Sequence, residues 1–365
     1  MSYLYNIFNK KDDSLDYEVT KCITKDSLIN LPYNNINAYI DDTFDLFKSV
    51  KNEYFLVYSS SENFTKYSLI FYDMKKEQII IKIGNAHNDR IYTCRHFFDK
   101  NSKSDLILTS SYDRWIKIWN VTNYYTLVYK KCPDYDYNER TYLLSENILY
   151  YNQRNYLITS AYEIYSKGFN ILFYDYEGNT DKTEIKNSED NTNYLGVYYD
   201  NKTPYILAGN YGNIKVFDFS KKELFNKYED NNAQINYLSI IIKENENNKI
   251  LLASGADGYL RIWEYKKYGN LLYKVLSNIE GWIIGLNLLN ENYILEACFN
   301  GSIAIYDLKS NNIVSFLKSN LDFKDDYFIN IFHKHFLCMK NIDIDKKNYL
   351  VTHCSNGLIE LWKKK

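Results

Sequence analysis

Leu106-Ile107-Leu108-Thr109-Ser110-Ser111-Tyr112-Asp113-Arg114-Trp115-Ile116-Lys117-Ile118-Trp119-Asn120 reads as an apolar run, a tight turn, and an alternating strand that ends in one aromatic. The phrase returns as Leu251-Leu252-Ala253-Ser254-Gly255-Ala256-Asp257-Gly258-Tyr259-Leu260-Arg261-Ile262-Trp263-Glu264, with the Trp six residues after the turn Asp in both copies. Such a period fixes the architecture before any chemistry, because each copy is a unit that must stack on its neighbours to bury its apolar faces. Seven copies can be traced, closed by Tyr72, Trp119, Tyr174, Phe217, Trp263, Tyr306 and Trp362 at intervals of 43 to 56 residues. A four-stranded propeller blade takes roughly 40 to 45 residues. The turns Asp257-Gly258, Asn300-Gly301 and Asn356-Gly357 suit two-residue hairpins, whose central positions need positive φ. The expected fold is all-β: a single seven-bladed β-propeller over residues 1–365.

The last phrase stops at Trp362 with three Lys after it, so the final blade lacks its outer strand. Ser2–Phe8 alternates well enough to supply that strand, which predicts a ring closed by the N-terminus and no exposed sheet edge there. Composition agrees. The chain has 39 Tyr and 19 Phe against 3 Pro, the bias of half-buried strands, and no sustained 3.6-residue periodicity. The polar run 181–192 reads as the best candidate for a mobile loop.

The repeated phrase resembles the WD-repeat β-propellers from about Tyr54 to Trp362. The family's Gly-His, turn Asp and Trp-Asp are best kept in the second copy, as Ala86-His87, Asp113 and Trp119-Asn120. The fifth keeps Asp257 and Trp263-Glu264 but has Asn231 where the His would stand. Elsewhere Tyr72-Asp73, Tyr174-Asp175, Phe217-Asp218 and Tyr306-Asp307 take the place of Trp-Asp. The resemblance implies a structural network in which Asp113 accepts from His87, a strand hydroxyl (Thr109 or Ser111) continues the chain, and the Trp119 indole ends it. Asp257 and Trp263 are its remnant in the fifth copy. It also implies partner-binding positions: Arg90, Tyr92 and Tyr112; Gln234 and Asn236; and Trp282, Ile284 and Phe299.

His87, Asp113 and a nearby Ser also have the composition of a hydrolase triad. Because the His and Asp fall on the repeat's own positions, a stabilising network is the expected reading. His333, His335, Cys338, His353 and Cys354 offer zinc-binding residue types, but no second spaced pair fixes a geometry. No metal or other cofactor is expected. Phosphate-loop, dinucleotide and zinc-protease motifs are absent. The formal net charge of −2 gives no global field toward nucleic acid, and no Arg-Arg pair suggests phosphoinositide recognition. No membrane-spanning segment and no secretory leader are expected, since no long apolar run exists and Met1–Phe8 lacks a basic n-region and a cleavage site. Six Cys without framework spacing suit a reducing cytoplasmic or nuclear compartment. The expected function is a non-catalytic scaffold for proteins or peptides in a larger complex. A channel hydrolase and a lipid or nucleic-acid reader are the alternatives.

Overall fold

The structure, a computed structural model, describes residues 17–22, 44–61, 66–123, 125–131, 142–162, 170–176, 183–186, 192–230, 237–244, 249–267, 272–276, 282–298, 301–318, 336–354 and 359–364. The first strand, β1 (Tyr17–Cys22), stands apart from the blade that follows it. Blade one is β2 (Phe44–Lys48), β3 (Tyr54–Ser61), β4 (Tyr67–Asp73) and β5 (Gln78–His87). Blade two is β6 (Ile91–Asp99), β7 (Ser104–Ser111), β8 (Ile116–Asn120) and β9 (Thr126–Lys131). Blade three is β10 (Tyr142–Tyr151), β11 (Arg154–Tyr162), β12 (Asn170–Asp175) and β13 (Thr183–Lys186). Blade four is β14 (Thr192–Asp200), β15 (Thr203–Asn210), β16 (Asn213–Asp218) and β17 (Glu223–Glu229). Blade five is β18 (Tyr237–Glu244), β19 (Lys249–Gly255), β20 (Leu260–Glu264) and β21 (Leu272–Leu276). Blade six is β22 (Ile283–Leu288), β23 (Tyr293–Cys298), β24 (Ser302–Asp307) and β25 (Asn312–Lys318). Blade seven is β26 (Phe336–Ile344), β27 (Lys347–Cys354) and β28 (Ile359–Lys364), and β1 completes it.

Each sheet is four-stranded and antiparallel, six of them meanders of consecutive strands, and each of the seven core clusters lies between two neighbouring blades. Alternation along a strand makes this possible, because successive side chains serve opposite faces and both faces are covered. In β19, Leu251 and Ala253 pack toward blade four, while Leu252 packs toward blade six. The closing aromatic of every blade turns back into the seam with the blade before it. Trp119 lies among blade-one residues, Trp263 beside Tyr228 of blade four, and Trp362 with Leu295 and Leu317 of blade six. All seven aromatics are buried on the third strand of their blade. The Asp or Asn after the aromatic has a separate task. The carboxylate of Asp73 accepts from the amides of Lys75 and Lys76, and that of Asp218 from Ser220 and Lys221, which fixes the turn into the outer strand.

Two expectations change. The outer strand of the last blade is Tyr17–Cys22, antiparallel to β28 with Tyr17 opposite Lys364. With β27 on the other side of β28, no edge is left there for Ser2–Phe8, which lies outside the described residues. The polar run 181–192 contains β13, held by Ile185, whose side chain is buried against blade four. One inward apolar residue is enough for an outer strand paired on a single edge. Six of the seven inner strands also carry a bulge near their start, at residues such as Tyr92, Leu238 and Ile284, which periodicity does not reveal.

Deleting residues 1–22 removes β1 and exposes the edge of β28. The truncated chain is expected to melt lower and aggregate, whereas deletion of residues 1–8 alone should leave the thermal melt unchanged.

Candidate functional site

In an antiparallel meander, the connection into each inner strand and the turn after each second strand lie on the same face of the ring. That face collects Asn88–Arg90 and Tyr112–Trp115 of blade two, Tyr211 of blade four, Tyr259 of blade five and Trp282 of blade six. Beneath it, blade two holds the polar network. His87 Nδ1 donates to the Asp113 carboxylate, 3.0 Å from each oxygen. Its Nε2 accepts from the Thr109 hydroxyl at 2.9 Å, and Trp119 Nε1 donates to the same oxygen at 3.0 Å. The tautomer follows from the carboxylate, which can only accept. Burial holds the imidazole below its ordinary pKa despite Asp113, which keeps it neutral with one donor and one acceptor. Thr109 is therefore the hydroxyl of the network. Ser111 instead donates to the Asp89 carbonyl and accepts from the Asp113 amide. The order carboxylate, imidazole, hydroxyl is that of a triad, but His87 is 1% and Thr109 0% exposed, so no substrate reaches the hydroxyl.

Other blades fill the same place differently. In blade five the partner of Asp257 is Arg261, which donates to both of its oxygens at 3.0 and 2.6 Å and through Nε to Asp230 at 2.9 Å. A guanidinium on the third strand thus spans the gap that His87 closes from the preceding blade. In blade seven, Trp362 Nε1 donates to Thr352 Oγ1 at 3.0 Å, as Trp119 does to Thr109.

Three glutamates, Glu146, Glu296 and Glu360, are fully buried and were not foreseen, and the first two have perturbed carboxyls. Glu146 of β10 accepts from Ser110 Oγ at 2.6 Å and Thr93 Oγ1 at 2.9 Å across the seam with blade two, with Thr159 Oγ1 at 3.4 Å. Burial pushes it up to about 7, opposed by those hydroxyls and by Arg95. Glu296 pairs with Ala304, two residues before Tyr306, and so stands where Thr109 stands in blade two. Neither of its oxygens, nor the Tyr306 hydroxyl, has a partner among the described residues. Burial alone pushes Glu296 up to about 8, which leaves it a neutral acid at pH 7. A lone acid inside Leu295-Glu296-Ala297 was the available signal.

The expected binding positions divide. Arg90, Tyr112 and Trp282 are half-buried on the rim face, and Trp282 also packs against the seam between blades six and seven. Tyr92 and Ile284 are corrections. Both are bulge residues, 8% and 5% exposed, turned into the core, with the Tyr92 ring edge-on to Tyr112 at 5.3 Å. Gln234, Asn236 and Phe299 lie outside the described residues. The rim also gains Tyr211 and Tyr259, 50% and 38% exposed, and Trp115 beneath Lys130. All three lie in the tight turn of the phrase, at or after the turn-Asp position, whereas the resemblance assigns partner contacts to the residue just before it. Among the described residues, no cluster of His, Cys, Asp or Glu could hold a metal, and no helix is long and apolar enough to cross a membrane. His333 and His335 lie outside the described residues, and His353 is buried edge-on to Phe44.

The model of the WD domain, G-beta repeat family matches residues 79–120, the stretch that contains His87, Asp113 and Trp119. The chain is a seven-bladed propeller in which one stretch matches the WD-repeat model. Among solved structures, the propeller is similar to Raptor of Chaetomium thermophilum, with a TM-score of 0.62 and 13% identity. The match covers 87% of this chain and 27% of that one, so the likeness is to a part of Raptor and concerns the fold. No curated protein matches the sequence.

Asp113→Ala leaves the buried His87 donor without an acceptor and is expected to cost about 1–3 kcal/mol in denaturant unfolding. Asp257→Ala should cost less, because Arg261 keeps Asp230. The raised Glu296 value gives a pH test. Its contribution to stability is fully present below the ordinary 4.5 and is lost as pH rises through about 8. Subtracting the unfolding free energies of Glu296→Gln from those of the unaltered chain should give a difference that falls by up to about 1.4 kcal/mol per pH unit within that window.

Proposed function

We propose that this chain is a non-catalytic interaction platform, a cytoplasmic or nuclear subunit or adaptor that holds protein or peptide partners on its rim face. The observation behind this reading is the contrast between that face and the seams. The buried groups with triad-like or acid–base character are closed to solvent, whereas the rim presents Tyr112, Trp115, Tyr211, Tyr259, Trp282 and Arg90. Trp, Tyr and Arg are the residues most enriched among interface positions that cost 2 kcal/mol or more on truncation. A ring of stacked sheets presents them at little ordering cost, which favours binding. The WD repeat supports the same reading, since propellers of that resemblance mostly hold other proteins. In this reading Gln234, Asn236 and Phe299 extend the surface toward blades five and six. Tyr92 and Ile284 support it from beneath.

The test is the double variant Tyr112→Ala, Trp282→Ala, compared with the unaltered chain in affinity purification from the native cell. A variant with an unchanged circular dichroism spectrum and melt should lose at least one specific partner. If it retains every partner, the interface lies on the ring's edge or opposite face.

A further inference from the structure

On the rim, the Arg90 guanidinium is in ion-pair contact with no carboxylate among the described residues. Arg90 is half-buried at the entry to β6, and its backbone is fixed on both sides. Its amide donates to Asp89 Oδ1 at 2.6 Å, and its carbonyl accepts from the Tyr112 amide at 3.0 Å. The guanidinium, in contrast, forms no hydrogen bond or ion pair among the described residues. Two other arginines differ: Arg261 is held by two carboxylates, and Arg154, 59% exposed, still reaches Asp175. Burial lowers the Arg90 pKa from its ordinary value, while Tyr112, Tyr67 and Asp89 raise it. Burial, with the Arg90 charge added, also pushes His353 of blade seven down to about 4. Arg90 therefore lies near groups of blades seven, one and two, toward the middle of the ring.

A half-desolvated charge is costly without a partner, and such groups in native proteins normally meet an anion. The guanidinium fork fits a carboxylate or a phosphate in bidentate fashion. The surroundings favour the smaller charge. Asp89 is next in sequence, and its carboxylate charge already acts on the guanidinium. One carboxylate balances Arg90, whereas a phosphate group of roughly −1.5 to −2 would meet repulsion. We infer that Arg90 is the receptor for a Glu or Asp side chain in an acidic segment of the partner protein, with Tyr112 and Trp115 flanking that segment. This assignment rests on the platform reading of the rim.

The probes are a hexaglutamate peptide, a hexaglutamine peptide and inorganic phosphate, each titrated calorimetrically into the full chain and its Arg90→Gln variant. The glutamate peptide should bind the unaltered chain, the glutamine peptide should not, and Arg90→Gln should weaken binding by roughly tenfold or more. The free variant should melt at the same temperature or higher, because an unpaired half-buried charge is gone. The assignment is overturned if the glutamate peptide does not bind, if the glutamine peptide binds equally, or if the variant binds as tightly. It is also overturned if phosphate displaces the peptide at equal concentration, which would make phosphate the ligand. Native-partner capture separates the two readings. If Tyr112→Ala, Trp282→Ala loses a partner that Arg90→Gln retains, the platform stands and the acidic anchor falls; if both retain every partner, both fall.

Discussion

A four-stranded sheet with two apolar faces cannot bury either one alone, and this constraint governs the molecule. The solution is one aromatic per blade, placed late on the third strand and turned back onto the preceding sheet. Fully burying such a side chain contributes about 1.5–3 kcal/mol, and the ring gathers one in each of its seven seams. A bulge in the outer strand beside the aromatic recurs in most blades, between Ile118 and Trp119, Ile262 and Trp263, or Ile305 and Tyr306 in register. Bulges raise local twist, which suits sheets arranged radially.

Because a seam needs apolar area, Tyr and Phe serve where a Trp would. Only a blade with a hydroxyl at the position of Thr109 uses the indole N–H as well, as Thr352 does for Trp362. This explains why the repeat signature has eroded while the architecture has not. It also explains why the period was legible from Tyr72, Phe217 and Tyr306, although the family model reaches only residues 79–120. Polar devices survive unevenly because an incomplete one is costly in the core. His87 with Asp113 is one solution, and Arg261 between two carboxylates is another.

Much of the fold and less of the site could be read from the residues. Turn dipeptides and closing aromatics located the hairpins. Alternation puts Thr109 and Ser111 on the same face, so the choice depended on position along the strand: Thr109 lies inside β7, whereas Ser111 ends it beside the turn. Tyr92 and Ile284 misled because a bulge adds one residue to an inner strand and reverses the face on which a counted position falls. β13 was hidden by its polarity, since an outer strand with Ile185 as its inward anchor has no alternation to recognise. Tyr17–Cys22 was passed over for the more apolar Ser2–Phe8, although edge strands are often the less apolar ones.

The pairing of β1 with β28 has a kinetic consequence. Tyr17 meets Lys364 across almost the whole length of the chain, the most non-local strand pairing among the described residues. During synthesis, blades one to six can form from local hairpins as they emerge, but β1 has no sheet to join until β28 leaves the ribosome. The nascent protein is then an open arc with two unsatisfied ends. Loop-closure entropy grows only slowly with chain length, and here the stacked blades have already brought the ends near each other. Ring closure is therefore a late docking step of a nearly complete disk, and the interval before it is when the chain is most exposed to edge pairing with its neighbours.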